Sequence, residues 1–116
     1  MNIQGIGFAI AQLALTRGAR VTIAGRSQSK LADATKRLEG RAKSVVMDLG
    51  DAQAAQAGFK EIGAFDHFVS TAADLTYGPL ATMDRAAIER MLAGKFWGPI
   101  NLVQHGVSHL QAGGAI

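Results

Sequence analysis

The sequence of 116 residues has no cysteine, only two prolines, one tryptophan and one tyrosine. Without cysteine, the chain cannot form a disulfide, use a thiolate as a nucleophile or bind a metal through sulfur. It also contains no apolar run long enough to cross a membrane, and no charged segment followed by an apolar one at its start. We therefore expect a cytoplasmic protein without a membrane partner.

The remaining composition is typical of a folded globular chain. Hydrophobic residues make up 48% and charged residues 18% of the sequence, a balance too apolar for intrinsic disorder. The length suits one domain with a substantial core. Glycine is frequent, with 14 residues, and it recurs at the ends of predicted elements, as at Gly18, Gly25, Gly40 and Gly63. This placement indicates short connections between helices and strands.

The formal net charge is +3 and the sequence pI is about 9.7, which raises the question of nucleic-acid binding. The basic residues are scattered among apolar and small ones, with no basic run and no interleaved aromatic residues. We therefore expect a solvated surface and no nucleic-acid partner. The positive excess lies in the first 43 residues, at Arg17, Arg20, Arg26, Lys30, Lys36, Arg37, Arg41 and Lys43.

Apolar periodicity predicts helices that alternate with short strands. Ser27, Asp51 and Thr82 are placed to cap three of the helices, and Pro99 predicts a kink or restart of the last helix near Gly98. Short apolar strands between helices indicate a parallel sheet covered on both faces, a three-layer α/β/α arrangement. By residue number, the predicted helices cover 6–17, 27–39, 51–62, 82–92 and 95–111, and the predicted strands cover 21–24, 44–47 and 67–70, with a first strand step at 115–116.

A glycine turn lies directly before the first predicted helix. Gly5 and Gly7 stand one residue apart there, and the exposed N–H groups at a helix start attract phosphate. The next predicted strand ends in Gly25-Arg26-Ser27, where an arginine fork and a serine hydroxyl can meet a second phosphate. That order is how a dinucleotide-binding half is built. The alternative, a helix start that merely has small residues, explains the glycines about as often.

The chain resembles the short-chain dehydrogenase/reductase family over essentially its whole length. Gly5, Ile6 and Gly7 match the last three positions of the family's Thr-Gly-x-x-x-Gly-Ile-Gly turn. The resemblance covers only the front half of a family member and lacks the first strand. It implies that residues 1–116 form a partial, truncated Rossmann-like domain with a doubly wound parallel sheet. It also implies a nicotinamide dinucleotide as cofactor, and hydride transfer to or from a carbonyl or alcohol substrate whose identity the sequence does not give.

The residue after the second family strand selects the cofactor. A carboxylate at that position hydrogen-bonds the ribose of NAD and repels a 2′-phosphate. Here Gly25 occupies the acid's position, and Arg26 and Ser27 follow, which resembles the NADP-preferring pattern. We therefore expect NADP rather than NAD, against the alternative that Arg26 is a solvent-exposed arginine after a strand.

Two further segments resemble family contacts to the adenosine. Asp48-Leu49 looks like the start of the Asp-Val-Thr-Asp segment, although Asp48 serves equally well as a turn residue. Residues 66–73 align with Asp-x-Leu-Val-Asn-Asn-Ala-Gly, with Ser70 in place of the first asparagine and Ala72 at the retained alanine. The resemblance implies that Ser70 and Ala72 also approach the cofactor.

The last predicted helix carries polar residues for which functional and structural interpretations compete. Lys95 falls where the family carries an asparagine that supports a proton relay, but a solvated lysine at a helix bend is an equal alternative. Asn101 is expected on the helix surface. His105 and His109 have the i, i+4 spacing that can hold a metal, but no third ligand is in view, so we expect surface histidines and no metal.

The catalytic residues of the family have no counterpart here. Tyr77 is followed by Gly78-Pro79-Leu80-Ala81, so no Tyr-x-x-x-Lys pair exists, and no serine lies in the corresponding element. We expect the chain to be inactive alone and marginally stable, because the strands at Val21 and His67 lack a common neighbour. The alternative function is a non-catalytic nucleotide-binding or oligomerising module that associates with itself through residues 95–111.

Overall fold

The computed structural model describes residues 5–72 and 74–116 and shows alternating helices and strands. Helices and strands alternate regularly from α1 to β3, while a long loop and two consecutive helices separate β3 from β4. The α-helices are α1 (Ile6–Thr16), α2 (Gln28–Arg37), α3 (Ala52–Ile62), α4 (Arg85–Leu92) and α5 (Gly98–Gly106), and the strands are β1 (Val21–Gly25), β2 (Ala42–Val46), β3 (Phe65–His67) and β4 (Leu110–Ala115). Short 3₁₀ turns cover Leu80–Thr82 and Val107–His109, and a π-helical turn covers Ala93–Trp97.

The strands form two parallel pairs rather than one continuous sheet. β1 pairs with β2 in a regular register from Val21↔Ala42 to Gly25↔Val46, and β3 pairs with β4, with an irregularity between Phe65 and His67. Within residues 5–72 and 74–116, no ladder joins β1 to β3. The parallel α/β architecture predicted from the sequence is therefore confirmed, and the predicted gap between these two strands is present.

Two helix caps follow the sequence prediction and a third does not. The Ser27 hydroxyl accepts the Lys30 N–H at 3.3 Å at the start of α2, and the Asp51 carboxylate accepts the Ala54 N–H at 3.0 Å at the start of α3. The predicted cap at Thr82 is wrong, because Asp84 precedes α4 and Thr82 lies in a 3₁₀ turn. The Thr82 hydroxyl instead donates to the Pro79 carbonyl at 3.4 Å.

The helix predicted over 95–111, with a kink or restart near Gly98, ends earlier than predicted. A π-helical turn precedes α5, which restarts at Gly98 with Pro99 in its first turn, as the proline predicted. The helical part ends at His109, and Leu110–Ala115 is a strand. Pairing with β3 accompanies this change, because Leu110 pairs with Phe65 and Ala115 pairs with His67.

Two core clusters cover opposite faces of the β1–β2 pair. Neighbouring residues on β1 belong to different clusters, Ile23 to the first and Ala24 to the second, as the period of two in a strand requires. The first core cluster, beneath α1 and α2, contains Phe8, Ala11, Ile23, Leu31, Ala34, Leu38 and Ala42. The second core cluster contains Ala24, Val45, Met47, Leu49, Ala55, Phe59 and Leu102, with Ile62, Phe65 and Phe68 packed against it.

Candidate cofactor-binding site

The glycine turn precedes α1 as predicted. Gly5 is the N-cap residue with φ 67°, no side chain caps the helix, and the Gly5 carbonyl accepts the Ala9 N–H at 3.1 Å. A side chain at this φ is strained, although a Cβ atom at Gly5 would meet nothing within 4 Å. Because the first N–H groups of a helix have no intrahelical acceptor, the turn presents donors around Ile6 and Gly7 to an external group.

The Arg26 guanidinium lies at the carboxyl end of β1 and forms an ion pair. Its Nη2 donates to Oδ2 of Asp74 at 3.0 Å, and the two side chains are 54% and 44% exposed. Asp74 was missed by the sequence analysis, because it is 48 residues away and follows β3 in an irregular segment. Only the convergence of parallel strand ends at one edge of a sheet hints at such a pair.

Ser27 has two polar neighbours at the same strand end. Its hydroxyl oxygen accepts the Lys30 N–H and lies 3.1 Å from Oγ of Ser29. The capping bond uses an acceptor site of the hydroxyl, while its O–H remains a donor for another group. Ser27 can therefore cap α2 and contact a phosphate at the same time.

The segment after β2 is held by a buried asparagine. The Asp48 carboxylate accepts the Gly50 N–H at 2.9 Å, which is the turn role considered for it. The Leu49 side chain is buried in the second core cluster, so only its backbone faces the site. The Leu49 carbonyl accepts a hydrogen bond from Nδ2 of Asn101 at 2.7 Å.

The surface position expected for Asn101 is therefore wrong, since the residue is 5% exposed. The buried residues of α5 are Gly98, Asn101, Leu102 and Gly106, which recur every three or four positions. That spacing was a signal in the sequence, because small glycines on one helix face mark close packing and Asn101 shares that face. The hydrogen bond from Asn101 fixes the position of the Leu49 carbonyl, next to Asp48.

We expect Asn101→Ala to lower the free energy of unfolding by about 1–3 kcal/mol, because it leaves the buried Leu49 carbonyl without its partner. Urea denaturation followed by circular dichroism measures the change. Gln104→Ala provides the matched control, since Gln104 lies on the exposed face of the same helix. Equal stability of the two variants would mean that the Asn101 hydrogen bond contributes nothing beyond what water supplies.

The segment after β3 reaches the same edge of the structure. Ser70 is exposed and Ala72 is half-buried, and Ala73 lies outside the described residues. The Arg26–Asp74 pair brings this segment to the end of β1. A Cβ atom on Gly94 would lie 3.9 Å from the Asp74 backbone nitrogen, so the π-helical turn also borders it. Lys95, in that turn, is exposed and has no ion pair within the described part of the chain.

The two histidines of the last helical segment are both half-buried, so both are less exposed than the surface position expected for them. The His109 ring stacks on Phe59 with a centroid distance of 6.3 Å and an interplanar angle of 19°. Within residues 5–72 and 74–116, no three His, Cys, Asp or Glu side chains are grouped to hold a metal ion, and no helix is long and apolar enough to span a membrane.

Comparison with known proteins agrees with this arrangement. The family model described as short chain dehydrogenase matches residues 2–116. An uncharacterized oxidoreductase, YxnA, of Bacillus subtilis is 29% identical over 112 residues, which cover 90% of this chain and 32% of that protein. This chain thus spans about a third of that curated relative.

Solved structures give the same result at the level of the fold. A short-chain dehydrogenase/reductase mutant from Serratia marcescens is similar with a TM-score of 0.79 and 25% identity, over 95% of this chain and 48% of that one. MalC reductase/Diels-Alderase from Malbranchea aurantiaca has a TM-score of 0.79 and 29% identity, over 92% of this chain and 48% of that one. The match to the family model extends over nearly the whole sequence, and the chain therefore belongs to the short-chain dehydrogenase/reductase family.

Proposed function

We propose that this chain is the adenosine-binding front part of an NADP-dependent oxidoreductase. The observation that carries the proposal is the Arg26 guanidinium, half exposed at the carboxyl end of β1, where Gly25 stands in place of an acid. An arginine offers five N–H donors in a planar fork that matches a phosphate, and its charge is permanent. A 2′-phosphate is the group that distinguishes NADP from NAD, so Arg26 favours NADP.

The edge that carries Arg26 supports this assignment, because the other candidate residues follow neighbouring strand ends. Gly25 pairs with Val46 in the β1–β2 ladder, and the Met47 N–H donates to the Gly25 carbonyl at 2.9 Å. Asp48 thus follows β2 next to the end of β1. Ligands of open parallel sheets bind outside the carboxyl ends of the strands. The residues proposed to contact the cofactor are Gly5, Ile6, Gly7, Arg26, Ser27, Asp48, the backbone of Leu49, Ser70 and Ala72.

The chemistry proposed for the whole protein is hydride transfer between the nicotinamide and a carbonyl or alcohol carbon, with a small molecule as substrate. The described residues are proposed to contribute binding and orientation, and Tyr77 is not a candidate for proton transfer. Tyr77 is 86% exposed and is followed by Gly78 and Pro79, with no lysine four positions later. Lys95 remains a candidate relay residue. We therefore propose that this chain does not turn over substrate by itself.

Arg26→Ala should weaken NADP binding about 10- to 100-fold, because a charge-assisted hydrogen bond contributes about 1.5–3 kcal/mol and each 1.4 kcal/mol is tenfold in Kd. NAD binding should change by less than about twofold, within the ~0.4 kcal/mol that this factor represents, because its ribose has no phosphate. Isothermal titration calorimetry of the 116-residue chain with each dinucleotide measures both effects.

Arg17→Ala is the matched control for this experiment, because Arg17 is an exposed arginine at the end of α1 and does not follow the carboxyl end of a strand. It should leave both affinities unchanged. Equal losses for NADP and NAD in the Arg26 variant would contradict the phosphate role and leave Arg26 as a general surface cation.

A second candidate function, a nucleotide-binding module that associates with itself, has one observation in its favour. Large apolar side chains are exposed along one side of the α4–α5 region: Leu92 49%, Phe96 53%, Trp97 51%, Val103 56% and Val107 47%. Exposed apolar patches mark interaction surfaces. Sedimentation analysis tests the self-association that the second candidate requires, so a stable dimer of the 116-residue chain would favour the second over the first.

A further inference from the structure

We propose that Asp74 sets the cofactor preference of this site by acting on Arg26 and on the ribose at once. The inference rests on the proposed function, since it concerns how the Arg26 site discriminates NADP from NAD. The geometry that carries it is the ion pair across 48 residues of sequence, with Nη2 of Arg26 and Oδ2 of Asp74 3.0 Å apart. The carboxylate absent at Gly25 is thereby replaced by one from the irregular segment that follows β3.

The pair is weak enough to open for a ligand. Both side chains are about half exposed, and exposed ion pairs of this kind contribute little, because water competes and salt screens the charges. Among the described residues, only one guanidinium nitrogen of Arg26 forms a hydrogen bond, so the fork keeps further donors for a ligand. A phosphate carries more charge than a carboxylate and three acceptor oxygens, so it can displace Asp74 from Arg26.

Asp74 therefore opposes NADP in two ways. It occupies a donor that the 2′-phosphate needs, and its own charge lies within ion-pair distance of Arg26, where it repels a bound phosphate. The repulsion disappears, and the hydrogen bond to Arg26 loses its charge assistance, when the carboxylate is replaced by a neutral amide of the same shape. The loss of the charge should then tighten NADP binding.

The effect on NAD should have the opposite sign. A carboxylate at the end of the β1 strand can accept hydrogen bonds from the ribose hydroxyls of NAD, which is the role of an acid at that position. With Gly25 at the strand end, Asp74 is the acid that the described residues place beside Arg26. Removing its charge weakens these hydrogen bonds, so NAD binding should become weaker.

Calorimetric titration of the full chain with NADP and with NAD, at low ionic strength, tests the proposal. Asp74→Asn should lower the Kd for NADP about three- to fivefold, the size of effect that an exposed ion pair allows. It should raise the Kd for NAD about two- to fivefold, as expected for a weakened hydrogen bond to an exposed group. Asp84→Asn removes the same charge at an exposed residue without a side-chain cap bond and should change neither Kd.

The state of Arg26 can be measured without any cofactor. Phenylglyoxal modifies free guanidinium groups, and mass spectrometry reports the rate at Arg26. Asp74→Asn should accelerate modification of Arg26 about threefold, the factor expected on release from a weak surface pair, and leave Arg17 unchanged. An unchanged rate at Arg26 would overturn the proposal, because it would mean that the Arg26–Asp74 ion pair does not form when the protein is in solution.

The binding results separate this inference from the proposed function. If Arg26→Ala weakens NADP selectively while Asp74→Asn leaves the ratio of the two affinities unchanged, the proposed function stands and the role of Asp74 is overturned. If neither dinucleotide binds the wild-type chain, or if Arg26→Ala affects both equally, the proposed function fails and the inference fails with it. Opposite shifts for NADP and NAD in Asp74→Asn support both.

Discussion

Phe59→Ala should lower the free energy of unfolding by about 3–5 kcal/mol, which is the usual cost of removing a buried aromatic ring. Phe59 is 0% exposed, and its ring centroid lies 5.5 Å from Phe68 and 6.1 Å from Phe65. A domain is stabilised by only about 5–15 kcal/mol. Since no ladder joins the two strand pairs within the described residues, we expect this one substitution to remove most of the folded population.

The measurement is urea denaturation followed by circular dichroism at two protein concentrations. Phe96→Ala is the matched control, because Phe96 is 53% exposed and its loss should cost less than about 1 kcal/mol. If the alanine variant does not fold, Phe59→Leu keeps most of the apolar volume and should cost about 1–1.5 kcal/mol. A loss below about 1 kcal/mol for Phe59→Ala would contradict the central place given to this ring.

The reason for the large effect is that Phe59 connects parts of the molecule that the backbone does not. It belongs to the second core cluster, with Ala24 and Val45 of the β1–β2 pair, and Phe65 of β3 packs against that cluster. Gly106 of α5 is also in direct reach, since a Cβ atom there would lie 2.9 Å from the ring. Aromatic packing around Phe59 therefore stabilises the association of the two strand pairs, which backbone hydrogen bonds would provide in a continuous sheet.

The features that the sequence predicted correctly depend on neighbouring residues. The caps at Ser27 and Asp51 each involve an N–H three residues later, and the end of α3 is marked by Gly63 with φ 74°. Pro99 restarts a helix through its own ring geometry. Such signals need no knowledge of the rest of the chain, so the helices and the β1 strand were located within a few residues.

The errors arose where distant residues decide the structure. Leu110 continues the apolar spacing of the preceding helix, yet it is a strand residue because Phe65 pairs with it. Asn101 is buried because the Leu49 carbonyl, 52 residues earlier in the chain, needs a donor. Asp74 contacts Arg26 because the irregular segment after β3 passes the end of β1. Periodicity and capping rules describe one segment at a time, and none of them identifies a partner in another segment.

The same distinction between local signals and distant contacts applies to the candidate site. Arg26 was predicted from its position directly after a strand, which is a local pattern. Its partner Asp74 and the support of Leu49 by Asn101 depend on tertiary contacts. The residue proposed to bind the phosphate was thus accessible from the sequence, whereas the residues that contact or support the proposed site were not.

Leu31→Ala should lower the free energy of unfolding by about 2–5 kcal/mol, because Leu31 is 2% exposed and its removal leaves a cavity in the first core cluster. Leu13→Ala is the matched control, since Leu13 is 54% exposed on α1 and its loss should cost less than about 1 kcal/mol. Urea denaturation measures both. Similar losses for the two variants would mean that α2 is not packed on the sheet as described.

Amide hydrogen exchange in the Leu31→Ala variant then shows which helices and strands lose protection. Ile23 and Ala24 are consecutive on β1 but belong to opposite clusters, so the β1–β2 ladder is supported from both faces and should loosen when either face is weakened. Arg26 and Ser27 lie between β1 and α2 and should lose protection with it. If exchange also accelerates in β3 and β4, the two strand pairs unfold as one cooperative unit through Phe59. Acceleration confined to β1, β2 and α2 would instead mean that the β3–β4 pair is stable without them, and the bridging role of Phe59 would have to be abandoned.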